Sequence, residues 1–546
     1  MASTPLARTS VASLTTVRQQ SLVLGALALL LFIAGNYQQA AIGFDSRFVV
    51  FAQEMLRNGP GFFPTTYGEP YADYSATSTF FIYLLSLPFG RVISLTAWLP
   101  TAIASAVMVS LVYRLVAPYS RLWALISIAL LTLSMTFITE TRAISLDQML
   151  ATVAFSIFYL GYAADHFKAP RRMGWILALL VLGFAIRGPI GLVVPTGMLC
   201  SYYVLNGQWR RMFIFGLQAL ALLAICIGVL LLLADLSGGP TFMHEVVRMQ
   251  FTSRMDGSEG SSSVLYYFTS STGNYALAYP LAILALATAL LTRKEHQGPA
   301  LRLVQFCAAA GLIVMIGLSI PQAKKARYML PMLPMAAIIA AYPFQVLEGR
   351  LFAWLRGLTQ GIWLLLPGLL IAGLLVARHR FPEQLISIGA VLSVLVVLQV
   401  AALALLFKPQ WRTGGLAACA VLAVWSSYIL VVEPVERTLY DTRSFTQAAY
   451  ELIKRDPAPV VLHNMGKDAK AIKFMVNVQE DLRPVFTELP ASLDALQGPA
   501  WLVMDKADYQ ALQGTRFATL PILLSGRFDK NDYVLLRLPP APVKAP

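Results

Sequence analysis

Apolar runs of roughly 18 to 22 residues recur along the chain up to Val432, separated by short polar stretches, which is the pattern of membrane-spanning helices. Thirteen helix starts are read near residues 21, 95, 121, 147, 174, 189, 212, 273, 301, 328, 358, 385 and 413. The fifth and sixth, on either side of Arg187-Gly188-Pro189, are short. Thr79 to Phe89 is apolar but too short to span, so it is read as re-entrant or interfacial. The run from Ser21 to Ala34 has the length of a signal-peptide core. No small-residue cleavage site follows it and weakly apolar residues extend it to Ile42, so it is read as an anchor.

Beyond Glu433 the pattern changes. Short strand-like runs at Val460 to Leu462, Ala500 to Met504 and Tyr533 to Leu538 alternate with helical stretches at Ser444 to Lys454 and Lys467 to Val476. Residues 433–546 therefore read as a small α/β domain following a membrane domain of residues 1–432, with a loose Pro-rich tail from Pro539. The predicted fold class is mainly α: a polytopic membrane protein of about 13 transmembrane helices with an extracytoplasmic α/β domain at its C-terminus.

Charge orients the helices. A cytoplasmic N-terminus puts Arg8 and Arg18, Arg114 and Arg121, Lys168, Arg171 and Arg172, Arg210 and Arg211, Arg293 and Lys294, Arg350 and Arg356, and Lys408 and Arg412 on one side. Few acids interrupt this side (Asp165, Glu295, Glu348), and Arg378 and Arg380 are exceptions on the other. This is the positive-inside pattern, and it places the C-terminus outside. Two outside loops are long, Gly43 to Ser78 and Asp235 to Thr272, a length that accompanies function or disorder.

Composition agrees with a bilayer as solvent: 57% of the 546 residues are hydrophobic, 13% are charged, and mean hydropathy is +0.64. The net charge of +14 is accounted for by the basic inside loops, and no nucleic-acid motif is present. Cys200, Cys226, Cys307 and Cys419 lie in apolar stretches with neither zinc nor disulfide spacing.

Candidate chemistry gathers in the outside loops. From Ser46 to Arg57, apolar Phe48, Phe51, Ala52, Met55 and Leu56 mark one face of a surface helix that begins at Asp45. Asp45 is either an N-cap accepting first-turn N–H bonds or a reactive carboxylate, and the roles are compatible. Gly68-Glu69-Pro70-Tyr71-Ala72-Asp73-Tyr74 is a turn rich in acids and tyrosines. Asp147 sits at the mouth of the fourth helix, where a merely solvated acid is the alternative. The cluster Lys324-Lys325-Ala326-Arg327-Tyr328 falls outside, where cations are disfavoured. A lipid-linked phosphate at headgroup depth would account for it, and ordinary anionic lipids are the alternative. Arg187 also faces outward and is a further candidate for the same cradle. Carboxylates supply a general base for an acceptor hydroxyl, and cations stabilise a departing phosphate.

In this order, Phe44-Asp45-Ser46-Arg47-Phe48 to Glu54-Met55-Leu56, Asn58-Gly59, Gly68-Glu69-Pro70-Tyr71, Ser145-Leu146-Asp147-Gln148-Met149-Leu150, Arg187-Gly188-Pro189, Tyr266-Tyr267-Phe268 and Lys325-Ala326-Arg327-Tyr328-Met329-Leu330-Pro331 resemble the bacterial GT-C glycosyltransferases of the aminoarabinose (lipid A) transferase type, relatives of the protein O-mannosyltransferases. The resemblance implies a GT-C fold in the bacterial inner membrane with a periplasmic C-terminal domain. It implies inverting transfer of a hexose or pentose from a polyprenyl-phosphate (undecaprenyl-phosphate) carrier to lipid A, another envelope glycan or a protein. On this resemblance Asp45 and Asp147 are the catalytic candidates. Tyr71, Asp73, Arg187, Lys324, Lys325, Arg327 and Tyr328 are candidates for binding substrate, with Lys325 and Arg327 near the carrier phosphate.

The chain also departs from the family. The second acid of the family's Asp-Glu pair is Ser46, and the Glu-Lys-Pro-Pro stretch reads Asp73-Tyr74-Ser75-Ala76, without its Lys. No His stands within Asp256 to Ser263, and His244 is the nearest. A divalent metal, with Asp73 and His244 as candidate ligands, is left open, and no organic cofactor is expected. The alternative function is a transporter or flippase of a lipid-linked or anionic solute, which would place charges at helix centres; here those centres are almost free of charge. A non-catalytic assembly protein is a third reading, against which the acid-rich first loop speaks.

Overall fold

The computed structural model describes residues 11–43, 45–256, 260–292, 297–382, 385, 388–496 and 498–539. Expectations for Arg8, Phe44, Gly257 to Glu259, Arg293, Lys294, Glu295 and the tail after Pro539 lie outside those residues. The chain forms two compact units. One comprises the N-terminal run to Ala34, Ala72–Ser78 and Trp98–Val431; the other comprises Gly35–Tyr71, Thr79–Ala97 and Val432–Pro546.

The first unit is helical, and the protein is a multi-pass membrane protein. Among the described residues seven helices are long and apolar enough to cross a bilayer, and two bent pairs raise the number to nine. Every predicted start falls in or beside a helix, but several of these helices are short. Met173–Arg187 and Pro189–Leu205 have 15 and 17 residues, and rise only roughly 23 and 26 Å, less than a hydrocarbon core. Tyr266–Asn274, mostly within the expected outside loop, bends by 112° into Ala278–Leu291, which answers to the helix predicted from near 273. Part of the expected loop from Asp235 is helical instead: Trp209–Val247 continues through it with a kink at Gly239-Pro240, where Gly239 has φ 73° and Pro240 opens the next helical turn.

The two short helices form a tight hairpin. Gly188 turns the chain at φ 64°, ψ −150°, a conformation costly for any residue with a Cβ. A Cβ on Gly191 would lie 1.8 Å from the Gly183 carbonyl oxygen, and one on Gly183 would lie 2.2 Å from that of Gly191. The two backbones touch because neither residue has a side chain, and Arg187 is carried at the tip.

The second unit holds both small sheets. β1 (Thr65–Thr66) and β2 (Glu69–Pro70) pair antiparallel. β3 (Val460–His463), β4 (Val485–Thr487), β5 (Ala500–Asp505), β6 (Ile522–Phe528) and β7 (Asn531–Leu538) form a mixed sheet in the order β4-β3-β5-β7-β6. β3 runs parallel to β4 and β5, and β7 runs antiparallel to β5 and β6. On one face Val460, Leu462, Val503 and Leu535 pack with Phe445, Ile472 and Phe474. On the other face Val461, Leu502, Met504 and Leu536 pack with Leu512 and Phe517. Strands buried on both faces read as continuous apolar runs, so β3, β5 and β7 are the ones the pattern predicts. The edge strands β4 and β6 are partly exposed and escape it.

The Asp45–Asn58 helix belongs to this unit. Its apolar face is buried as predicted at Phe48, Phe51, Ala52 and Met55, but Val49 and Val50 are buried too, and Val50 joins the core of the sheet. The polar face is also engaged: Gln53 donates to the Val476 carbonyl at 3.2 Å, and Arg57 donates to those of Val478 and Gln479 at 3.3 and 2.6 Å. The helix is clasped by the C-terminal segment and does not present a solvated face.

Candidate active site

In the membrane unit the charged side chains converge on Asp147. It lies in the first turn of the Leu146–His166 helix, where the helix dipole favours a carboxylate. Ser145 caps the helix, accepting from the Gln148 N–H at 3.1 Å while its own hydroxyl donates to Glu140. Asp147 Oδ1 accepts from Arg187 Nε and Oδ2 from Arg327 Nε, each at 2.9 Å. The Asp147 and Arg187 side chains are 8% and 4% exposed, so this pair is dry, while Arg327 is 22% exposed. One carboxylate thus holds two guanidiniums drawn from a hairpin tip and from the 3-10 segment Ala326–Met332.

Aromatic rings complete the cradle. The Arg187 guanidinium stands over the rings of Tyr328 and Tyr74, 5.2 and 5.8 Å from their centroids. Asp147, Leu150, Arg187, Ile190, Leu318 and Tyr328 line a cavity of about 10 Å³, room for about one water. The basic segment is held by its backbone: the Ala326 carbonyl accepts from the buried Tyr275 hydroxyl at 2.8 Å. Lys324 Nζ donates to the Ser262 carbonyl at 3.1 Å, and Lys325 is exposed.

The segment Ala72–Ser78 is tied into the same region. Asp73 Oδ1 pairs with Arg254 Nη2 at 2.9 Å, Gln250 Nε2 donates to the Ala72 carbonyl at 3.1 Å, and Ser75 donates to the Ala185 carbonyl. Arg254, 181 residues beyond Asp73, supplies the cationic partner of that carboxylate. Sequence reasoning missed Arg254 and the Glu140–Ser145 cap, and took Tyr74 only as part of a turn and not as a site residue. Arg254 carries no distinguishing signal in a polar stretch, whereas Tyr74 adjoins a residue already singled out.

The structure therefore brings together Asp73, Asp147, Arg187, Arg327 and Tyr328. Asp45 and Tyr71 belong to the other unit. There Asp45 is the half-buried first residue of its helix. Arg47, two residues on, donates to the Asp468 carbonyl at 3.1 Å and stands 5.3 Å over the Tyr71 ring, which also packs on Phe51. Ser46, in place of the family's second acid, is buried and donates to the Ala41 carbonyl at 2.8 Å. Lys467 pairs with Glu69 at 2.5 Å, and Tyr67 donates to the Lys467 carbonyl at 2.8 Å. Buried between these groups, the Tyr67 hydroxyl is pushed above its ordinary range.

The metal candidates do not form a ligand set. Among the described residues no three His, Cys, Asp or Glu side chains come together as metal ligands. Asp73 is committed to Arg254, and His244 is exposed on the Trp209–Val247 helix.

Residues 44–245 match the family model of dolichyl-phosphate-mannose-protein mannosyltransferases. The structure superposes on the crystal structure of ArnT from Cupriavidus metallidurans in the apo state with a TM-score of 0.72 at 17% identity, covering 96% of this chain and 98% of that one. The same protein bound to undecaprenyl phosphate gives 0.69 at 17% identity, covering 95% and 98%. The fold is the GT-C fold. Through it the chain resembles a membrane glycosyltransferase of the ArnT and mannosyltransferase kind, as the ordered motifs imply. No curated protein sequence matches the chain. Within this GT-C fold the Asp147 cradle is built by segments distant in sequence.

Proposed function

We propose that the chain is an inverting glycosyltransferase that moves a sugar from a polyprenyl-phosphate carrier to an acceptor at the periplasmic face of a bacterial inner membrane. The observation that carries this reading is the shared bond of Arg187 and Arg327 to Asp147. Lys324, Lys325 and Arg254 stand in the same region as this pair of arginines, a set of cations that an anionic donor would complement. The solved relative that holds undecaprenyl phosphate on the same fold supports a lipid phosphate as that anion.

The chemistry assigned is a single displacement. Asp45 takes the proton of an acceptor hydroxyl, whose oxygen attacks the anomeric carbon. The bond from that carbon to the phosphate oxygen breaks, and its electron pair leaves with the polyprenyl phosphate. Arg327 and Lys325 neutralise the charge that develops on the phosphate, and Arg187, close to the rings of Tyr74 and Tyr328, holds Asp147 in register. Single displacement inverts the anomeric configuration. The acceptor is a hydroxyl-bearing lipid, glycan or protein of the envelope, lipid A among them.

Mass spectrometry of envelope glycolipids and glycoproteins from cells with and without the chain tests the proposal. A sugar lost from one class of molecule, restored by the wild-type chain and not by Asp45→Asn, is the expected result. Identical glycan profiles together with translocation of the carrier by purified protein would replace the enzyme with a flippase.

A further inference from the structure

The Leu146–His166 helix carries a second charged cluster at the end opposite Asp147, roughly 27 Å along its axis. There Asp165 accepts from Tyr202 Oη at 3.0 Å, Gln208 Nε2 at 3.0 Å and Arg211 Nη1 at 3.0 Å. Beside it opens a cavity of about 200 Å³, with room for several waters and more than a bare phosphate ion fills. Arg171, Arg172 and Arg211 stand on its lining, and the rest is largely apolar, with Leu160, Ile176 and Phe215. Only Arg211 has a carboxylate partner; among the described residues neither Arg171 nor Arg172 forms an ion pair, and both are exposed.

Two further features place this cavity at a bilayer interface. Trp175 and Trp209, near the starts of neighbouring helices, are 66% and 55% exposed, as aromatic residues at headgroup depth are. From the cavity, Ile214 and Leu217 run outward along the Trp209–Val247 helix as an exposed apolar strip. The positive-inside rule accounts for the basic residues but not for a cavity that pairs them with apolar walls. A guanidinium triad against one carboxylate is under-neutralised, and a phosphodiester matches its planar donors.

We propose that this cavity binds an anionic phospholipid, its phosphodiester held by Arg171, Arg172 and Arg211 and its acyl chains laid along Ile214 and Leu217. The site is separate from the Asp147 cradle and does not depend on the transfer reaction.

Native mass spectrometry of the full-length protein released from micelles tests it. Phosphatidylglycerol and phosphatidylcholine are titrated in parallel, with inorganic phosphate as competitor. The comparison variant is Arg171→Gln/Arg172→Gln, whose exposed side chains leave the fold intact, as its wild-type elution profile would verify. One phosphatidylglycerol bound per chain, not matched by phosphatidylcholine and weakened roughly thirtyfold in the variant, is expected. Equal retention of both lipids, or the same phosphatidylglycerol adduct in the variant, overturns the proposal. Displacement by inorganic phosphate assigns the arginines to free phosphate and overturns the lipid.

Discussion

Arg187 and Arg327 bind opposite oxygens of the Asp147 carboxylate at the same 2.9 Å distance, though one comes from a helical hairpin and the other from a 3-10 turn. Two guanidiniums would repel one another across this dry site; the shared carboxylate holds them side by side. The arrangement makes Asp147 a structural keystone.

Asp147→Asn removes the charge that both arginines share. Breaking a buried pair on one side leaves a desolvated cation and costs roughly 3 to 5 kcal/mol. The expected outcome is a clear fall in the thermal midpoint of the detergent-solubilised protein, accompanied by loss of transfer. An unchanged midpoint would show that the two arginines are held by other groups.

Asp45→Asn separates the two readings of that residue. Asn serves nearly as well as Asp at a helix start, so stability should stay within about 1 kcal/mol of wild type. Loss of a general base lowers turnover by roughly 10²- to 10⁴-fold. Steady-state transfer with the folded variant checks this, and full activity would remove Asp45 from the mechanism.

Lys325→Ala combined with Arg327→Ala should act on the donor. Hydrogen bonds to charged groups are worth about 1.5 to 3 kcal/mol each, so KM for the lipid-linked sugar should rise at least roughly tenfold. The acceptor KM should change far less. Donor dependence equal to wild type would undo the phosphate assignment.

Gly191→Ala places a methyl 1.8 Å from the Gly183 carbonyl oxygen, a contact with rigid backbone that forces the hairpin apart. Overpacking of this kind costs about 1 to 3 kcal/mol or more, and the displaced Arg187 should weaken donor binding as well. Gly174→Ala, which meets nothing within 4 Å, is the neutral control. Equal melting of the two variants would contradict the close approach.

His463 gives the soluble sheet a pH dependence. Burial holds its imidazole below the ordinary 6.5, against the opposing pull of Asp508 and the Thr487 backbone, and its Nδ1 lies 3.0 Å from Thr487 Oγ1. The folded state then binds fewer protons than the unfolded chain, so stability is full above about 6.5 and declines as pH falls toward the depressed folded value. His463→Gln should flatten that part of the profile in unfolding scans from pH 8 to pH 5 (roughly the His titration range). A wild-type midpoint as insensitive as that of the variant would rule the effect out.

Much of this architecture was legible because the bilayer imposes it. Apolar runs mark helices wherever water is absent, and β3, β5 and β7 stood out because both their faces are buried. The edge strands β4 and β6 and the 112° bend before Ala278 were not legible, since exposure and packing decide them, not composition. Nor did the pattern reveal that the Asp45–Asn58 helix is clasped on its polar side, because Gln53 and Arg57 look alike whether water or carbonyls accept their hydrogen bonds.

By itself the sequence determined that this chain lives in a membrane, where most of its helices and the central strands β3, β5 and β7 lie, and which acids and cations stand at the ends of its apolar runs. Only the tertiary structure decided that Asp147 takes both Arg187 and Arg327, that Arg254 answers Asp73, and that Arg171, Arg172 and Arg211 surround one cavity. Hydrophobicity is a property each residue carries along the chain. The choice of a charged partner depends on distance and desolvation, which exist only once remote segments have been folded together.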